Sequence, residues 1–166
     1  SLEPLTKGSA DWISWQGSRG DRRSDVTGII RDWSGGLEKL WEVDYLCQGN
    51  SSAAWSAPVV QGNRLIVCGR TTEKDLVFCL DPTNGALLWQ TSYSAETTAS
   101  HGAGPRATPA IDDDRVYTFG RSGELVCWAL FDGKELWRTN VADEGGEVPM
   151  WGHSSSPLIL GDRVIV

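Results

Sequence analysis

Three tryptophans recur at a fixed interval in this chain, and that interval constrains the fold more than any other feature. Trp41, Trp89 and Trp137 stand in similar settings, LEKLWEVDY, GALLWQTSY and GKELWRTNV, and the two intervals between them are equal. A second set of positions repeats with nearly the same spacing. Pro58, Pro109 and Pro157 are each followed by a similar apolar stretch. Two independent markers with the same period, roughly 50 residues, indicate an internal structural repeat.

Each repeat contains four runs that are typical of β-strands. In the first repeat, these are residues 57–61, 64–70, 75–81 and 86–93, with a Gly62-Asn63 turn between the first two. The second repeat spans 107–141, and Ser122-Gly123 and Asp132-Gly133 are two-residue hairpin signals within it. In the first repeat, the expected register pairs Cys68 with Val77 and Cys79 with Ile66. The two cysteines are then diagonal, so we expect no disulfide between them.

The middle strands, RLIVCG, DLVFCL and ELVCWAL, are apolar almost throughout. Such runs predict burial on both faces, which an antiparallel sheet achieves when other sheets stack against it. Four-stranded sheets that repeat with a period of this size describe a β-propeller with one blade per repeat. We therefore predict an all-β partial propeller with two full blades and two partial ones, of which the first ends at Trp41 in an outermost strand and the last begins at Pro157. The expected domain comprises residues 37–166, continues beyond them toward seven or eight blades in total, and follows a lead-in segment at 1–36.

Composition excludes some classes of partner. The 15 lysines and arginines are outnumbered by 22 aspartates and glutamates, for a net charge of −7. An acidic chain without a basic block lacks the charge that a phosphate backbone requires, so we expect no nucleic-acid partner. No apolar run approaches the length that a membrane-spanning helix needs. The four cysteines form no CxxC pair.

The stretch LDPTNGALLW resembles the tryptophan-docking motif of the pyrroloquinoline-quinone (PQQ)-like propellers. The motif runs roughly Ala-x-Asp-x-x-x-Gly-x-x-x-Trp, and Asp81, Gly85 and Trp89 fall on its marked positions. In the next copy Gly133 and Trp137 match, while Ala129 takes the Asp position. In the first copy, only Trp41 and the residues beside it match the motif. The opening DWISWQGSRG also resembles the lead-in of secreted bacterial PQQ-like repeat proteins, which implies a periplasmic or secreted location.

The segments that enter each innermost strand are the candidate binding site. In a propeller they lie near one mouth of the central channel, where ligands and partners dock. Trp55, Arg106 and His153 are the expected contacts, with His101 and Trp151 on the preceding loops. The alternative is structural: the two tryptophans would pack under loops, and Arg106 would pair with a carboxylate.

Other chemical motifs are weaker. His153 precedes Ser154, but neighbours on an extended strand point to opposite faces, so a serine nucleophile and its base are poorly arranged. The run from Asp112 to Asp114 aligns with plain turns in the other repeats, and we expect a solvated turn and no metal site. The triplet from Asn50 to Ser52 is a formal glycosylation sequon.

Two functions remain open. The first is a non-catalytic scaffold outside the cytoplasm, whose propeller face binds a protein or polymer partner. Its precedent is the family's non-enzymatic members, such as the lipoprotein of the outer-membrane β-barrel assembly machine. The second is a quinoprotein dehydrogenase that oxidises an alcohol or sugar. The resemblance implies that such an enzyme holds PQQ on a channel tryptophan beside calcium.

The sequence favours the scaffold. It has no adjacent cysteine pair of the kind that many alcohol-oxidising members carry, and the channel-mouth segments have no Asp or Glu. We therefore expect neither PQQ nor calcium in this segment, with an active site possible only if missing blades complete it. We also expect the isolated fragment to self-associate, because an incomplete propeller leaves apolar faces and strand edges uncovered.

Overall fold

A computed structural model describes residues 10–49, 53–95 and 104–166, and within them the chain forms strands and turns but no helix. Two four-stranded antiparallel sheets and one hairpin follow each other along the sequence, with strands in sequential order. We call them the first blade, the second blade and the third sheet. The first blade comprises β1 (Val59–Gln61), β2 (Arg64–Arg70), β3 (Lys74–Leu80) and β4 (Leu87–Ser94). The second comprises β5 (Ala110–Asp112), β6 (Arg115–Phe119), β7 (Glu124–Ala129) and β8 (Glu135–Asn140). The third comprises β9 (Leu158–Leu160) and β10 (Arg163–Ile165).

The register confirms the sequence prediction. Cys68 lies opposite Val77, and Cys79 lies opposite Ile66. The two blades also share an irregularity that the sequence did not predict. The pairing between the third and fourth strands shifts after Cys79 in the first blade and after Cys127 in the second. Because these two cysteines hold equivalent positions in successive repeats, the bulge belongs to the repeat.

The turn between the first two strands is also repeated, and it includes two of the three consecutive aspartates, Asp113 and Asp114. Gly62 begins this turn in the first blade with a φ of 55°, and Asp113 takes the equivalent place in the second with a φ of 49°. Asp is among the few residues other than Gly that tolerate this left-handed conformation. The aspartate run is therefore a turn, as predicted.

The main core lies between the two blades. One face of the first blade packs on the opposite face of the second. The third strand of each blade is buried almost throughout, as its apolar run predicted. The buried residues of this layer are Val59, Ile66, Val77, Cys79, Trp89, Tyr93, Ile111, Val116, Val126, Trp128 and Leu130. Near the channel, β5 lies beside both β1 and β9. This stacking is that of adjacent propeller blades.

The region around Trp41 differs from the prediction that it closes a blade as an outermost strand. Within residues 10–49 the structure has isolated bridges at Trp12 and Cys47 but no continuous strand. An outermost strand needs a neighbouring strand to bond, and the described residues before Trp41 do not form one. Residues 43–46 instead cover the outer face of the first blade, where Tyr45 packs against Phe78 with ring centroids 5.6 Å apart.

None of the described residues forms a helix that is long and apolar enough to cross a bilayer.

Candidate functional site

The segments that enter the innermost strands are tied together from blade to blade. The backbone N–H of Ala57 donates to the hydroxyl of Thr108 at 3.1 Å. The N–H of Thr108 in turn donates to the hydroxyl of Ser156 at 3.0 Å. All three residues directly precede the repeat's proline. Each hydroxyl therefore satisfies a main-chain donor of the preceding segment and holds the channel mouth together.

Three of the predicted contacts lie at this entry end. The Trp55 side chain is 60% exposed, and its backbone N–H donates to the carbonyl of Pro105 at 2.9 Å, next to Arg106. The Arg106 guanidinium donates to the carbonyl of Trp151, whose side chain is also exposed. Neither indole is packed under a loop, contrary to the structural alternative.

Two arginines converge at this point. The Nε of Arg121 is 3.5 Å from the same Trp151 carbonyl that Arg106 contacts. Partial burial, followed by the charge of Arg121, lowers the pKa of Arg106 from its ordinary value. The entry end thus concentrates positive charge in a chain that is acidic overall.

His153 is a neighbour of this cluster. Its N–H donates to the Arg121 carbonyl at 2.8 Å, and its ring packs on Phe119 with centroids 4.9 Å apart. Its Nε2 is buried and has no hydrogen-bond partner among the residues that the structure describes. This placement gives the ring a packing role beneath the mouth. His101 and the sequon from Asn50 to Ser52 lie outside the described residues.

Trp41 and Trp89 of the docking motif each contact the next repeat along the chain. Trp89 Nε1 donates to the Leu130 carbonyl at 2.9 Å, and a Cβ added at Gly133 would lie 2.6 Å from the Trp89 ring. Trp41 makes the same contacts one repeat earlier. Its Nε1 donates to the Pro82 carbonyl at 3.0 Å, and its ring lies equally close to Gly85.

The corner that precedes each docking glycine is held mainly by the backbone. The N–H of Gly85 donates to the Asp81 carbonyl at 2.8 Å, and that of Gly133 donates to the Ala129 carbonyl at 2.9 Å. The Asp81 carboxylate also accepts from the N–H and hydroxyl of Thr83, which lowers the pKa of Asp81. Ala129 therefore removes a side-chain acceptor but leaves the corner in place.

The hydroxyls of Thr108 and Ser156 were not among the predicted site residues. A signal was present, because a hydroxyl residue precedes the proline in the second and third segments. The buried ion pair between Arg70 and Asp75, with Nη1 and Oδ1 2.6 Å apart, was not predicted either. Equivalent positions in the next repeat hold Arg121 and Gly123, so the pair is not repeated and no periodic pattern could predict it.

Two of the repeated tryptophans are already in contact with neighbouring residues. The Trp41 ring packs against Gly85, and the Trp89 ring packs against Gly133. No group of three His, Cys, Asp or Glu side chains in the described part of the chain could hold a metal ion. The inner edges of β1 and β5 also carry hydrogen bonds from the lead-in segment.

Comparison with known proteins now defines the family. The family model described as outer membrane protein assembly factor BamB matches residues 73–166, more than half of the chain. The chain belongs to the PQQ-like repeat family. This PQQ-like chain has no match among curated proteins.

Solved structures support the same fold. BamB from Moraxella catarrhalis is 21% identical with a TM-score of 0.55, over 74% of this chain and 35% of that one. The quinohemoprotein alcohol dehydrogenase of Comamonas testosteroni is 19% identical with a TM-score of 0.65, over 93% of this chain and 22% of the enzyme. The corresponding enzyme ADHIIG of Pseudomonas putida HK5 is 16% identical with a TM-score of 0.63, over 94% and 22%. The PQQ-like chain thus spans a fifth to a third of these relatives.

Proposed function

We propose that this PQQ-like chain is part of a non-catalytic propeller that acts outside the cytoplasm as a binding scaffold for a protein partner. The observation that carries the proposal is the entry end. Exposed Trp55 and Trp151 stand there on segments that are cross-linked by hydrogen bonds from blade to blade. Exposed tryptophan and arginine on a rigid base are typical of energetically important interface residues.

The match to a family described by an outer-membrane assembly factor supports both the scaffold role and the location. The proposal includes the absence of PQQ binding by this segment. It is supported by the packing of Trp41 and Trp89 against the following repeat and by the lack of a group of three potential metal ligands among the described residues. Dehydrogenase neighbours share the fold, but a fold alone does not carry an activity.

The test is site-specific cross-linking in the full-length protein. A photoreactive amino acid replaces Trp55 in one variant and Trp33 in another. Trp33 is equally exposed, at 60%, but lies in the lead-in. We expect discrete cross-linked proteins at position 55 that are absent at position 33. The same products at both positions, or none at position 55, would overturn the proposal.

A cofactor titration tests the non-catalytic part. PQQ with calcium is added to the protein, and tryptophan fluorescence is followed in the wild type and in Trp55→Ala. We expect no saturable quenching. Saturable quenching at micromolar PQQ that is lost in Trp55→Ala would favour the dehydrogenase instead.

We further propose that the isolated fragment self-associates through the outer face of the second blade. Leu136 and Trp137 are exposed there. Size-exclusion chromatography should show oligomers, and Leu136→Lys should shift them toward the monomer, whereas Leu40→Lys, at an exposed position just before Trp41, should not. A monomeric wild-type fragment would contradict this.

A further inference from the structure

The inner edges of the propeller strands present outward peptide groups at one repeated position. Val60, Ile111 and Ile159 each lie two residues after the repeat's proline. One residue separates each of them from the turn that follows. Their partners across the hairpin are Leu65, Val116 and Val164 respectively. In a two-residue hairpin the pair beside the turn exchanges hydrogen bonds, and the next pair directs its peptide groups outward. These three residues therefore face the free edge beside the channel.

The lead-in segment occupies this edge in the first two repeats. Trp12 and Val60 exchange two main-chain hydrogen bonds, of 2.8 and 2.9 Å. The next residue, Ile13, accepts from the N–H of Ile111 at 2.8 Å. A peptide of this chain is thus already bound along the inner edges of β1 and β5, in the manner of an added strand.

The lead-in turns away before it reaches the third repeat. Gly17 donates to the Ser14 carbonyl at 3.0 Å, with a φ of 79° that suits glycine. A Cβ at Gly17 would lie 2.9 Å from the Trp12 ring. The turn leaves Ile159 uncovered, and in the described part of the chain no main-chain group bonds its outward N–H and C=O.

A cavity of about 590 Å³ lies at that point. Trp15 and Arg19 of the lead-in border it on one side, and Ile111, Asp112, Leu158 and Ile159 border it on the other. The Trp15 side chain is 57% exposed, and Leu158 is exposed as well. The cavity combines apolar walls with a strand edge that can both donate and accept.

We propose that this cavity binds an extended peptide segment of the partner protein, which pairs with the backbone at Ile159 and places an apolar side chain against Trp15. The inference rests on the proposed scaffold function and adds a second contact point to it. Peptide is the favoured ligand because the equivalent positions of the two preceding repeats bind peptide backbone. The site lies at the inner edge of β9, next to the inner edges of β1 and β5 with which the lead-in already forms hydrogen bonds.

The probe is a synthetic peptide of the lead-in sequence ADWISWQ, capped at both ends and labelled with a fluorophore. Binding to the full-length protein is measured by fluorescence polarisation. Ile159→Pro removes the outward N–H but no bond within the β9–β10 hairpin, whereas Ile159→Val retains the N–H. We expect Ile159→Pro to weaken binding about tenfold, the equivalent of one hydrogen bond, and Ile159→Val to leave it nearly unchanged.

Trp15→Ala provides a second variant that does not depend on the hairpin, with Trp33→Ala as its control at similar exposure. Trp15→Ala should weaken binding, and Trp33→Ala should not. Equal effects of the two, or no binding by the wild type, would overturn the proposal.

Amide hydrogen exchange identifies the strand that the peptide binds. The peptide should slow exchange at Ile159 and leave Val60 and Ile111 unchanged. Slowing at Val60 and Ile111 alone would mean that the peptide displaces the lead-in, and the proposal would fail. Slow exchange at Ile159 before any peptide is added would show that another segment of the full-length chain occupies the edge, which would also overturn it. Cross-links at position 55 would survive either failure if the scaffold function itself holds.

Discussion

The two complete blades have the same strands, register and bulge, yet equivalent side chains differ strongly in burial. Trp89 is 8% exposed and Trp137 is 38% exposed. The Arg64 side chain is almost fully buried and contacts the Phe131 ring, whereas the side chain of its counterpart Arg115 is 53% exposed. The first blade is covered by a complete neighbour, and the second is covered only near the channel by the third sheet.

This difference shows that burial in a repeat protein depends on the next repeat more than on the residue's own position. The tryptophan at the equivalent position of the fourth strand belongs to the core in the first blade and to the surface in the second. The energetic importance of each repeated residue should therefore follow its neighbour, as nearest-neighbour coupling in repeat proteins requires.

The largest expected effect is at the docking tryptophans. Trp89→Ala should lower the free energy of unfolding by about 3 to 5 kcal/mol, because it empties a buried volume and leaves the Leu130 carbonyl without its donor. Trp137→Ala should cost about 1 kcal/mol, since the side chain is already partly solvated. Urea unfolding of both variants measures the difference. Equal losses would mean that the blades are not energetically distinct.

A smaller loss is expected where the docking glycine meets the ring. Gly133→Ala places a methyl group 2.6 Å from Trp89 and strains a φ of 71°, for a combined cost of about 2 to 4 kcal/mol. Gly145→Ala is the matched control, because its φ is 85° but nothing lies within 4 Å of the added carbon. It should cost only the strain, about 1 kcal/mol. Thermal unfolding with similar losses in both would argue against close docking.

The ion pair in the first blade predicts a pH dependence that the second blade lacks. Burial raises the pKa of Asp75 to about 6, although Arg70 opposes the shift. The folded protein then retains a proton that the unfolded chain releases near pH 4, so stability should fall as pH rises from about 4 to 6 and level off above. The change should be about 3 kcal/mol, from a shift of about two pKa units at about 1.4 kcal/mol each. Denaturation curves at several pH values should show it, and Asp75→Asn should remove it. A rise in stability across this range would contradict the assignment.

The smallest effect concerns thiol reactivity and leaves stability unchanged. Cys79 lies between the two blades, whereas its counterpart Cys127 faces the less covered side of the second blade. Burial raises the pKa of both thiols, to about 12 for Cys79. We expect thiol labelling of the folded protein to modify partly exposed Cys47 first, then Cys127, and Cys79 last. Mass spectrometry of a labelling time course gives the order. Cys79 reacting before Cys127 would reverse the comparison between the blades.

Some parts of the site were predictable and others were not. The repeat correctly predicted the register at Cys68 and the turn at Asp113, because each depends on residues close together in sequence. The predicted strand at Trp41 was wrong. A β-strand needs a neighbouring strand with which to form hydrogen bonds, and the spacing of the repeat does not show whether one is present. The single Arg70–Asp75 pair escaped detection for the opposite reason, because it has no second copy.

The sequence by itself determined the blade: its strands, turns and register follow from apolar runs and left-handed turn positions that recur with the repeat. Only the tertiary structure decided which copy of each residue is buried, where the lead-in lies and where it turns away at Ser14. The physical reason is that burial and edge pairing depend on which segments meet in space. Trp89 and Trp137 have the same local sequence pattern, but one meets a complete blade and the other does not.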